Sequence, residues 1–268
     1  MPSLEHGFLG PDAEQTRQKI SQKYSDIFAL LKDLNDVCHE YLGQAKFNDH
    51  NPVEVLAITY FIRGLMTFQS LIVLLERGCI EDACALCRTL LQGYYRLAAI
   101  AADPTVIDRI FATAVNDRKR RLEFYKSGRL KLPANVTNID LDAKIAEAEA
   151  EIKKLGGSMT NDYELAEIGG CQDDYSAYLL MSDAAHTSPS DLRSFLKFDQ
   201  NGHFLGYNYG PHDRELASYA GYILVLQRDN LITANKVIKG TLPARFADLQ
   251  MRSIRLRSDM PGVFNPQK

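Results

Sequence analysis

The chain has 268 residues, 46% hydrophobic and 24% charged, the proportions of a globular protein that can bury one sizeable core or two smaller ones. A formal charge of −3 excludes a global electrostatic drive toward nucleic acid or acidic membranes. The opening residues lack the basic-then-apolar order of a secretory signal, and five cysteines in apolar surroundings predict reduced thiols in a cytoplasm.

Taken in chain order, residues 12–45 predict one long helix. Ile20, Tyr24, Ile27, Phe28, Leu31 and Leu34 recur at three- and four-residue steps and make a single apolar stripe. Residues 52–102 predict an antiparallel helical pair on which the rest is organised. Asn51 is the expected N-cap, Pro52 the first helical residue and Glu54 the third, while Gly78 is the expected left-handed stop. Apolar residues cover almost every face of 52–77, which predicts burial nearly all round and a core helix, not a membrane span. Arg63 and Arg88 then fall mid-helix among apolar neighbours. Each needs an acceptor, and the pair has few acids away from its ends, so the acceptor is expected from elsewhere in the chain.

Residues 105–126 predict a helix ending in a basic run, Arg118, Lys119, Arg120, Arg121 and Lys126, continued by Arg129 and Lys131. That run is either a solvated helix end or a phosphate-contacting patch. Residues 139–155, rich in alanine, glutamate and lysine, predict an exposed helix with little to anchor it, inside a charged insert spanning 116–170. Residues 161–170 predict a short helix. Along 171–186, Tyr175, Tyr178, Ser182 and His186 share one helical face, and Ser188 is placed to cap a short helix over 189–195. Asn201–Gly202, flanked by Phe198, Phe204, Tyr207 and Tyr209, predicts a small β-hairpin over 196–209, or an extended loop, laid on the helices. Pro211 opens a long helix that Gly240 ends, and a last helix covers 243–257. The expected fold is all-α, a single helical domain built as a bundle around the central pair, with one hairpin.

Phosphate-loop, dinucleotide, zinc-protease, nucleophile-elbow and EF-hand motifs are absent. The six histidines show no ligand spacing on a helix, so neither metal nor cofactor is expected. Cys79, Cys84 and Cys87 have the spacing of a plant-type iron–sulfur motif, with Cys171 downstream, but Cys84 and Cys87 lie within a helix. They read as small core hydrophobes.

The remaining chemistry lies in Arg88, Ser182 and His186 as catalytic candidates, with Arg63, Tyr95, Tyr175 and Tyr178 as substrate-binding candidates. Here the phrase Arg88-Thr89-Leu90-Leu91-Gln92, with the downstream Tyr175, Ser182 and His186, resembles an uncharacterised bacterial family of all-helical proteins. The family pattern carries an "R-T/S-L-L-E" helix followed by a "Y…S…H" helix, and this chain departs from it at Gln92. The resemblance implies a helical bundle of unknown function related to the HEPN group of nucleotide-binding and RNA-cleaving domains. No arginine here is followed by histidine four to six residues later, the spacing of the HEPN motif, so Arg88 and His186 would have to meet across two helices.

Two readings follow. In the first, the protein binds nucleotide or RNA in stress response or phage defence, histidine moving the proton of a 2′-hydroxyl and Arg88 stabilising charge on phosphorus. In the second it is a non-enzymatic homodimer, and Arg88 and His186 serve packing and helix capping.

Overall fold

The computed structural model describes residues 7–133, 136, 139–185, 195–207 and 210–259, with the backbone alone at 183–185, 254 and 256–259. Ten α-helices and one antiparallel hairpin are present among the described residues, so the all-α expectation holds. The helices are α1 (Pro11–Lys23), α2 (Ser25–Gln44), α3 (Pro52–Glu76), α4 (Ile80–Ala102) and α5 (Val106–Lys126). Then come α6 (Leu141–Lys154), α7 (Asp162–Ile168), α8 (Tyr175–Ala185), α9 (Leu216–Ile238) and α10 (Phe246–Asp259). The hairpin strands are β1 (Leu196–Phe198) and β2 (Phe204–Tyr207).

The α3–α4 pair is central, as its end signals require. The Asn51 side chain accepts from the Val53 N–H at 3.1 Å and donates to Glu54 at 2.9 Å. At the other end Gly78 takes φ 70°, and the Cys79 and Gly78 N–H groups close back on the Leu74 and Leu75 carbonyls at 2.9 and 3.0 Å. α9 lies against both helices of the pair, α2 packs on α3 and α9, and α7 and α8 cover the other side of α4. The shared core includes Phe61, Phe68, Leu71, Leu90, Leu91, Leu97 and Leu231. At the α3–α9 crossing Gly64 admits the buried Asn230 so closely that a Cβ there would stand 2.3 Å from Asn230 Nδ2.

Several local expectations are corrected. The first long helix is bent at Tyr24 (φ −114°, ψ 30°), although the ladder bonds Tyr24 N–H to Ile20 and Phe28 N–H to Tyr24 continue through the bend. Asp213 holds this point, accepting from Lys23 at 2.5 Å and from the Tyr24 hydroxyl at 3.2 Å. α3 is not buried all round: Ile62, Met66 and Val73 are 40%, 55% and 53% exposed, and Arg63 lies on the same open face. By length and composition α3 alone among the described helices is long and apolar enough to cross a membrane; half of its apolar window is buried within the fold.

The insert is better anchored than its composition predicts. α6 packs on α5 through the fully buried Ala148, and its acids meet the basic run. Arg118 pairs with Glu151 at 2.5 Å, Lys119 with Glu149 at 2.7 Å, and Lys126 with Asp142. A phosphate patch on those three cations would first have to break ion pairs.

The hairpin forms where Asn201–Gly202 places it, with Gly202 at φ 83° and Asp199 accepting from the Asn201 and His203 N–H groups at 2.8 Å. Its described aromatics face outward rather than into the core. Phe198, Phe204 and Tyr207 are exposed and contact mainly one another. α9 starts at Leu216, not Pro211, because the His212 N–H is bonded to the Gly78 carbonyl at 3.1 Å and Glu215 turns left-handed (φ 59°). Its left-handed stop is Lys239 (φ 53°), while Gly240 beyond it is pressed against the Tyr41 ring. A 3₁₀ turn, Gln172–Asp174, occupies the start of the segment predicted to be helical from 171. His186, Ser188, the helix expected over 189–195 up to residue 194, and Tyr209 lie outside the described residues.

Candidate functional site

The polar stripe of α4 is Arg88, Gln92 and Arg96, four residues apart and therefore on one face. α8 presents Tyr175 and Tyr178 to that face, and α7 presents Asp162 from its first turn. Two features seat α7. Gly169, just past its end, touches α4 so tightly that a Cβ would stand 2.7 Å from Ala98 Cβ. At its start Asn161 caps it by accepting from the Glu164 N–H at 3.0 Å, and Glu164 pairs with Arg109 of α5 at 2.6 Å.

The result is one connected network. Arg88 Nη2 donates to the Tyr178 hydroxyl at 3.0 Å, and that hydroxyl donates to Asp162 Oδ2 at 2.8 Å. Gln92 Nε2 donates to the same carboxylate oxygen at 2.8 Å, and Arg96 Nη1 meets Asp162 Oδ1 at 3.0 Å. Arg96 also reaches the Gln92 carbonyl at 2.7 Å. The Arg88 guanidinium lies over the Tyr178 ring, 5.1 Å from its centre. Its buried Nε has no partner among the described residues.

Charge is unevenly matched here. Among the described residues every other partly buried arginine (Arg17, Arg96, Arg109, Arg228 and Arg252) has a carboxylate partner. Among the same residues Arg88 has only the neutral Tyr178 hydroxyl. The expectation that its acceptor comes from another part of the chain holds, since that acceptor is on α8.

The other candidates separate. Tyr175 stacks on Tyr178 with centroids 5.1 Å apart and planes at 25°, and Tyr163 meets Tyr175 edge-on at 5.1 Å. Tyr95 lies beneath them, fully buried, its hydroxyl without a partner among the described residues and pushed well above the usual tyrosine range by burial. Tyr95 is thus floor, not an accessible binding group. Ser182 donates to the Tyr178 carbonyl at 2.8 Å, which commits its proton within its own helix. Arg63 is on the exposed face of α3 and makes no contact with the network among the described residues. Sequence reasoning missed Asp162 and Arg96; the four-residue spacing from Arg88 through Gln92 was the signal that pointed to Arg96.

The cysteines lie apart from this chemistry. Cys38, Cys79, Cys87 and Cys171 are buried, and burial lifts the Cys38 and Cys171 thiols to about 12. No group of three or more His, Cys, Asp or Glu stands ready for a metal among the described residues.

The span that builds the site is also the span that matches other proteins. The profile of a family of unknown function (DUF5677) covers residues 54–204, from the first turn of α3 to the start of β2 and more than half of the chain. The chain belongs to the DUF5677 family. Arg88, Gln92, Arg96, Asp162 and Tyr178 all fall inside the DUF5677 region, whereas α1, α2, α9 and α10 flank it. Neither a curated protein nor a solved structure matches the chain.

Proposed function

We propose that the Arg88 network binds the phosphate of a nucleotide or RNA strand, in a helical protein of the HEPN-like sort whose reaction is metal-independent RNA cleavage. The charge imbalance carries this reading. Among the described residues the two arginines of the network meet a single carboxylate, Asp162, which is already engaged by Arg96, Gln92 and Tyr178. A guanidinium held by a neutral hydroxyl keeps its full charge and a planar fork of donors that matches phosphate.

In the cleavage step Arg88 offsets the charge that builds on the phosphoryl oxygens. His186, four residues beyond Ser182 in the sequence, takes the proton of the attacking 2′-hydroxyl and returns it to the departing 5′-oxygen. The products are a 2′,3′-cyclic phosphate and a free 5′-hydroxyl. Ser182 serves only as an acceptor, because its own proton is held by the Tyr178 carbonyl.

The test is incubation of the purified protein with single-stranded RNA in the presence of a chelator. Cyclic-phosphate ends should form with wild type and disappear with His186→Ala at an unchanged melting temperature. Failure of the wild type to bind any RNA or nucleotide at micromolar concentration sinks the reading.

The homodimer reading has its own observation, the open apolar face of Ile62, Met66 and Val73 on α3. Light scattering should give twice the 30.1 kDa chain mass, and Met66→Glu should return it to the single mass.

A further inference from the structure

We infer that Tyr163 and Tyr175 form a stacking platform for an unpaired nucleobase of the same ligand whose phosphate Arg88 takes; this rests on the phosphate-binding reading above. A ladder of aromatic contacts runs from the guanidinium to solvent. Arg88 lies over Tyr178, Tyr178 stacks on Tyr175, and Tyr175 meets Tyr163, each step 5.1 Å. Tyr95 closes the inner side, with centroids 6.0 Å from Tyr178 and 6.4 Å from Tyr175. The outer end is open. Tyr163 is 48% exposed, and its hydroxyl has no protein partner among the described residues.

Core packing does not account for an exposed ring at that position. Tyr163 follows Asp162 on α7, so one short helix supplies both the carboxylate that orients Tyr178 and the ring at the outer end. Stacking on tyrosine requires a base whose face is free, which a single strand or a free nucleotide offers and a duplex interior does not. Because every base has a π-face, the platform selects for single-strandedness more than for sequence.

The experiment is fluorescence anisotropy with a labelled single-stranded oligoadenylate, the same strand in a duplex, and unlabelled AMP as competitor. The strand should bind, the duplex more weakly, and Tyr163→Ala should weaken strand binding roughly tenfold. Tyr163→Phe should restore it. Both variants should melt with the wild type, since the ring is half in solvent. Competition by AMP that Tyr163→Ala weakens in parallel assigns the base to a free nucleotide; strand binding untouched by AMP assigns it to RNA. Either outcome supports the platform. If Tyr163→Ala binds the strand as tightly as wild type while Arg88→Gln loses it, the platform is overturned and the phosphate reading stands. If wild type binds neither strand nor AMP, the phosphate reading fails and this inference with it.

Discussion

Arg88 and Tyr178 engage one another in two ways. The arginine Nη2 donates to the tyrosine hydroxyl at 3.0 Å, while its Cζ stands 5.1 Å from the centre of the same ring. One neutral side chain therefore supplies both the acceptor and the π-face, and its hydroxyl donates a hydrogen bond to Asp162 at 2.8 Å. The arginine is fixed in place without being neutralised.

This changes what truncation of Arg88 should cost. Breaking a buried ion pair strands a charge and costs about 3–5 kcal/mol. Among the described residues no carboxylate is stranded, and the Tyr178 hydroxyl keeps Asp162. Arg88→Ala should therefore lose only the hydrogen bond and the cation–π contact, about 1–2.5 kcal/mol together. Urea denaturation measures this; a loss above about 4 kcal/mol would mean that a charged partner had been removed.

Asp162 and Gln92 should move stability and anion affinity in different directions. Asp162→Asn leaves Arg96 without its counter-charge and should cost about 2–3 kcal/mol. It also adds a unit of positive charge to the site, so a phosphate ligand should bind more tightly to the less stable variant. Gln92→Glu brings a carboxylate to the network and should weaken the same ligand several-fold. Calorimetric titration with AMP, beside thermal melts, separates the two effects. Equal affinity in both variants would remove the charge imbalance as the basis of binding.

Gly64→Ala probes the α3–α9 crossing. The added methyl would meet Asn230 Nδ2 at 2.3 Å, and Asn230 is buried with its Oδ1 already unpaired among the described residues. Overpacking of this kind costs about 1–3 kcal/mol. The double variant Gly64→Ala/Asn230→Ala should recover part of the loss, because the clashing amide is gone. If the costs simply add, the two helices do not approach at this point.

The end signals of the central pair could be read from the chain because they are local. Asn51, Pro52, Glu54 and Gly78 act within a few residues of where they stand. The facing of Arg88 toward the Tyr178 helix was partly legible, since an arginine amid apolar neighbours demands an acceptor. Asp162 was not, because its position depends on Gly169 seating α7 against Ala98, a contact between segments about 70 residues apart. Arg63 was misplaced for a different reason. α3 carries apolar residues all round, so hydrophobicity alone could not show that Ile62, Met66 and Val73 mark an open face. The basic run of α5 was ambiguous for want of register. Whether Arg118 and Lys119 face solvent or Glu151 and Glu149 is decided by how α6 folds back.

Segment 210–215 is held to the α3–α4 turn by His212, whose Nε2 donates to Glu81 at 2.9 Å, and to the α1–α2 bend by Asp213. The hydrogen bond from His212 holds the Glu81 carboxyl below its usual range, and the one from Lys23 does the same for Asp213. A carboxyl depressed in the folded state contributes stability that is present above its unfolded pKa and is lost as pH falls through the folded value. The melting temperature should therefore drop as pH is lowered through the carboxylate range, with the 210–215 strap released first. Glu81→Gln should melt lower at neutral pH and show a shallower acid slope than wild type. Asp213→Asn should do the same more weakly, because Asp213 is the more exposed of the two carboxylates. Parallel slopes in wild type and Glu81→Gln would place the acid sensitivity elsewhere in the fold.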